Sequence, residues 1–79
     1  MERVPVESSM LASAGYDRDS QTLEVEFLRG AVYQYYEVPE EVFKKLVEAD
    51  SVGSYFNACI RNNYDYAETT LRRHAHARW

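Results

Sequence analysis

The segment from Thr22 to Val38 leaves this chain the fewest ways to fold. Leu23, Val25 and Phe27 alternate with Thr22, Glu24 and Glu26, the period-two pattern of a strand with one buried and one open face. Ala31 to Tyr36 follows as a second, aromatic and β-prone run. Only Leu28-Arg29-Gly30 separates the two, a connection so short that they must pair as an antiparallel hairpin.

Register then decides what the hairpin presents, because a one-residue slip turns every side chain of a strand over. If Arg29-Gly30 is a two-residue turn, Phe27 lies opposite Val32, and Tyr33 and Tyr35 project outward beside Glu26 and Glu24 as an exposed aromatic platform. If the loop is the three residues Leu28-Arg29-Gly30, with Gly30 left-handed after a type I turn, Phe27 faces Ala31, Val25 faces Tyr33 and Leu23 faces Tyr35. Both tyrosines then join the core. Turn chemistry favours the second arrangement, since two-residue hairpin turns want positive φ at both central positions and Arg29 suits the first poorly.

On either side of the hairpin the pattern is less regular. Ser8 to Tyr16 alternates imperfectly, with Met10, Ala12 and Ala14 on one side and Leu11, Ser13 and Gly15 on the other, and is expected to be a strand. Asp17-Arg18-Asp19-Ser20 is turn chemistry that joins it to Thr22. Pro39 suits the first turn of a helix, Glu40 and Glu41 meet the positive end of its dipole, and Val42, Phe43, Leu46 and Val47 form its apolar stripe up to about Ala49. Ser51 caps a second helix with the stripe Val52, Tyr55, Phe56, Cys59 and Ile60, in which Gly53 permits a close approach to the sheet or the first helix. The expected fold is α+β, a three-stranded antiparallel meander with a helical hairpin packed on one face, in the order β-β-β-α-α. Residues 8–64 form the domain, 1–7 a lead-in and 65–79 a mobile basic tail, although Tyr64, Tyr66, Ala67 and Leu71 also fit a prolonged helix.

With 79 residues there is room for one core, and 46% apolar content argues against disorder. The net charge of −4 is uneven: residues 1–60 hold five basic and eleven acidic side chains, whereas 61–79 hold four arginines against Asp65 and Glu68. An acidic body argues against broad electrostatic binding of nucleic acid, while the tail, with Arg72 and Arg73, can make a few salt-sensitive phosphate contacts. The single cysteine excludes an internal disulfide, and no apolar run has the character of a signal peptide or a membrane span, so a cytoplasmic protein without membrane contact is expected.

Nothing in this pattern is a catalytic motif, and a binding module rather than an enzyme is expected. Tyr33 and Tyr35 are the leading candidates: on an open face they stack bases, and turned inward they fill the core with their hydroxyls at its rim. In the inward case Val32, Gln34 and Tyr36 share the open face with the glutamates, a surface better suited to a protein partner. Asn57 and Arg61, one helical turn apart, with Asn62 and Asn63 after them, can contact a phosphate or carboxylate or simply cap the helix and bond its last carbonyls. His74 and His76 are two ligands short of a closed metal site, so no metal or cofactor is expected, and Cys59 reads as a small core residue with no histidine nearby to activate it.

Taken together, Ser8-Ser9, Gly15-Tyr16-Asp17, Leu23 to Phe27, Gly30, Tyr33-Gln34-Tyr35, Val38-Pro39, Leu46, Ala49, Ser51, Gly53, Tyr55-Phe56-Asn57, Ile60-Arg61 and Tyr64 resemble the KTSC domain. This short module occurs at the C-terminus of some lysyl-tRNA synthetases and as free-standing small bacterial proteins. The resemblance covers Ser8 to Tyr64, includes the family's central Tyr-x-Tyr, and brings no catalytic residues. Through the synthetase it implies RNA, tRNA or single-stranded, as a partner. The alternative is an adaptor that binds another protein or itself through the open sheet face or an edge strand.

Overall fold

The structure, a computed structural model, describes residues 2–69. Two helices lie against one face of a five-stranded antiparallel sheet whose strands follow chain order: β1 (Arg3–Pro5), β2 (Leu11–Asp17), β3 (Thr22–Phe27), β4 (Val32–Tyr35) and β5 (Tyr66–Glu68). Between β4 and β5 come α1 (Glu40–Glu48) and α2 (Val52–Cys59). No described helix is long and apolar enough to cross a membrane.

The central hairpin takes the bulged, three-residue corner. Gly30 has φ +101°, its amide donates to the Phe27 carbonyl at 2.8 Å, and the Phe27 amide donates to the Ala31 carbonyl at 2.9 Å. Leu23 therefore pairs with Tyr35 and Val25 with Tyr33. Both tyrosines lie on the helix-covered side: Tyr35 is 2% exposed within the core, and Tyr33 packs against that core while only half-buried.

The meander has two strands more than the sequence pattern indicates. Arg3–Pro5, expected to be a lead-in, pairs with β2, and Tyr66–Glu68, expected to be tail or helix, pairs with β4. Each is three residues long, too short to show a period, and is held by its neighbour: Arg3 lies opposite Gly15, and Tyr66 opposite Tyr35. Residues 70–79, with the remainder of the expected tail, lie outside the described residues.

Within β2 the faces also differ from simple alternation. A register shift between Leu11 and Ser13 sets two residues of β2 against one of β3, so Leu11 and Ala14 share the core face and Ser13 turns outward to Glu26. The bulge explains why alternation through Ser8 to Tyr16 is imperfect.

The helices close the core with the stripes their spacing indicates. Leu46 from α1 and Val52, Phe56 and Ile60 from α2 and its C-cap are buried with Leu11, Leu23, Val25, Tyr35 and Val38. Pro39 occupies the N-cap of α1, and the Ser51 hydroxyl accepts from the Ser54 amide at 3.3 Å to cap α2. Gly53 lies beside the entrance to β2: a Cβ there would stand 3.2 Å from the Ser8 hydroxyl, which already accepts from the Met10 and Leu11 amides.

The face without helices is less open than the sequence implies. Arg3 crosses over Gly15 to Glu24 at 2.9 Å, Gln34 donates to the same carboxylate at 2.9 Å, and Tyr36 donates to Gln34 at 3.4 Å. Val32 is buried, and its carbonyl accepts from the Thr69 amide at 2.8 Å. Polar groups along this face bond one another.

Candidate functional site

Beside β4 and β5, on the face that carries the helices, lies a groove of about 200 Å³. Its floor is aromatic. Phe27, Tyr33, Tyr35 and Tyr66 line it together with Met10, and Arg29, Arg61 and Asn62 contribute the polar side chains. Strand pairing dictates the aromatic arrangement, because Leu23 opposite Tyr35 and Tyr35 opposite Tyr66 set tyrosines side by side on one face.

The rings form a connected cluster. Tyr33 stacks on Tyr66 with centroids 5.5 Å apart and on Tyr35 at 6.5 Å, while Tyr66 leans on Tyr35 at 5.4 Å. Phe27 meets Tyr33 edge-on at 5.2 Å, and Phe56 meets both Phe27 and Tyr35 edge-on from beneath. Tyr66 is 56% exposed and Tyr33 half-buried, so both reach the surface although each ring stacks on the other, whereas Tyr35 supports them from within the core. Burial and the neighbouring Tyr66 push the Tyr35 phenol up to about 12 against the pull of Arg61, so at ordinary pH it is a neutral hydrogen-bonding group and not a base.

Two cations stand at the rim. The Arg29 guanidinium lies 5.1 Å from the Phe27 ring centre, with a nitrogen 3.5 Å from the Tyr33 hydroxyl. Arg61 donates to the Asn57 side chain at 3.2 Å. Of the four arginines in residues 2–69, Arg3 and Arg18 are paired with Glu24 and Glu40. Arg29 and Arg61 have no carboxylate partner among the described residues, and both line this groove. One carboxylate stands close by, since Glu68 is the cross-strand partner of Tyr33 and shares its face, while Glu37 and Asp65 border the next hollow beyond Asn62.

The structure thus brings together Tyr33, Tyr35 and Arg61, with Asn57 holding Arg61 from the side. It separates Tyr36, which lies on the opposite face with Gln34, and Arg72 and Arg73 fall outside the described residues. Asn62, which the sequence sets beside Arg61 as a possible contact, lines the groove with it, and Phe27, Arg29 and Tyr66 join the site without a place in the sequence reading of it. The signal for Arg29 was its place in the turn, which carries it back over Phe27. Tyr66 had none, since its place depends on pairing with β4.

Comparison with known proteins agrees with this architecture. The KTSC domain family matches residues 7–64. The chain is 51% identical over 67 residues to an uncharacterised protein of Stutzerimonas stutzeri, covering 84% of this chain and 94% of that one. A lysine–tRNA ligase of Nostoc punctiforme is 36% identical over 62 residues, which is 78% of this chain but 11% of the ligase. A crystal structure of a KTSC domain protein from Yersinia pestis superposes with a TM-score of 0.82 at 36% identity, covering 86% of this chain and 96% of that one. The matched span takes in the central hairpin and both helices, and on it this chain belongs to the KTSC domain family.

Proposed function

We propose that this chain is a non-catalytic RNA-binding module and that the groove beside Tyr33 is where RNA is held. The observation that carries the reading is the position of Arg29 and Arg61, the two arginines without a carboxylate partner among the described residues, both at the rim of an aromatic cluster that reaches the surface at Tyr33 and Tyr66. Base stacking on Tyr33 and Tyr66 together with guanidinium contacts to phosphate is the combination by which unpaired RNA is bound. Kinship with a region of lysine–tRNA ligases supports the same partner. A protein adaptor working through the helix-free face has less support, because Val32 is buried there and Glu24, Glu26 and Gln34 bond to neighbours.

Titration of a labelled short single-stranded RNA at low salt tests the proposal. The wild-type chain is expected to bind in the micromolar range, as weakly specific nucleic-acid binders do. Tyr33→Ala and the pair Arg29→Ala/Arg61→Ala are each expected to lose roughly tenfold or more, since a base stack contributes about 1–3 kcal/mol. Arg18→Ala, which breaks an exposed ion pair with Glu40 away from the groove, serves as the control and is expected to leave binding unchanged. Absence of binding below high micromolar, or an equal loss in the control, contradicts the proposal.

A further inference from the structure

We infer that the groove accepts one unstacked nucleotide at a time, so that a single nucleotide held out of a paired RNA suffices for binding; this rests on the RNA-binding reading above. Size is the first reason. At about 200 Å³ the groove falls below the roughly 300–1,000 Å³ of sites that enclose drug-sized ligands, and suits a single base.

Charge is the second reason. Residues 2–69 hold six basic against thirteen acidic side chains, and the two free guanidiniums stand together at one place. A strand leaving the groove past Asn62 meets Glu37 and Asp65, and one leaving across β5 meets Glu68. Those carboxylates repel a phosphate track in both directions, so favourable contact with residues 2–69 is confined to the phosphates flanking one base.

The third reason is Asn62. It lines the groove, and among the described residues its side-chain amide makes no hydrogen bond, which leaves a donor and an acceptor side by side. Such an amide reads the edge of a base packed beside Tyr33 and Tyr66 in the same groove.

The experiment compares three RNAs on the full chain: a blunt duplex, the same duplex with a single-nucleotide bulge, and the bulged duplex with that nucleotide abasic. The bulged duplex is expected to bind about tenfold tighter than the blunt one, and the abasic duplex to return to the blunt level. Arg29→Ala/Arg61→Ala is expected to flatten the slope of log affinity against log salt by roughly 1.4–1.8, the contribution of two phosphates. Asn62→Ala is expected to narrow the difference in affinity among the four bases at the bulge. Equal binding of the three duplexes overturns the single-nucleotide inference while RNA binding stands. Failure of every RNA to bind overturns both.

Discussion

Phe56→Ala is expected to destabilise the chain by about 3–5 kcal/mol, the range for truncating a fully buried phenylalanine. Phe56 has no exposed surface, sits in the buried cluster with Leu23, Val25 and Ile60, and meets Phe27 and Tyr35 edge-on at 5.6 and 5.5 Å. A domain of this length has roughly 4–12 kcal/mol in total, so the loss removes much of it. Urea and thermal unfolding followed by circular dichroism should register a fall in Tm of roughly 15–30 °C. A cost under about 1 kcal/mol would mean that α2 does not anchor the sheet as described.

Gly15→Ala is the second large effect, and it acts through crowding where Phe56→Ala acts through a cavity. A Cβ at Gly15 would lie 2.3 Å from the Glu2 carbonyl oxygen and 2.8 Å from Cγ of Arg3, and a backbone oxygen cannot swing aside as a side-chain end can. Gly15 lies between Arg3 and Glu24 in the strand register, and the missing side chain lets Arg3 reach that carboxylate. Overpacking of this kind costs typically 1–3 kcal/mol, and we expect about 2 kcal/mol. The strain is relieved by release of β1, so faster amide exchange should be confined to β1 and the β2 amides facing it, with the core amides remaining slowest. Unchanged stability together with unchanged exchange at β1 would contradict this packing.

Sequence alone was a good guide to the centre of the fold and a poor one at its margins. Arg29 and Gly30 set the register, because only one corner gives glycine the positive φ and spares arginine it, and Tyr33 and Tyr35 were placed on the correct face by that argument. Ser51, Pro39 and the two apolar stripes marked both helices within a residue or so. The edge strands at Arg3 and Tyr66 were hidden, since three residues carry no period and their pairing is a property of Gly15, Tyr33 and Tyr35 as much as their own. Ala12 hid the faces of β2 in the same way, by adding one residue to an otherwise regular alternation.

The candidate site was half legible for a related reason. Facing the helices and facing a ligand are alternatives only if the helices cover the whole face, and at β5 Tyr66 is left 56% exposed. Tyr35 is therefore core while Tyr33, its neighbour on the same face, is half open. In the sequence Arg29 is a turn residue and Phe27 a core residue. Each is that as well as part of the groove, because the bulged corner folds the guanidinium back over the ring.

The most direct test follows backbone and side-chain amide resonances of the labelled full chain as a short unpaired RNA is added. Shifts concentrated at Phe27, Arg29, Tyr33, Arg61, Asn62 and Tyr66 are the predicted result. Shifts centred on Glu24, Gln34 and Tyr36, across the sheet from that groove, would contradict the assignment of the site.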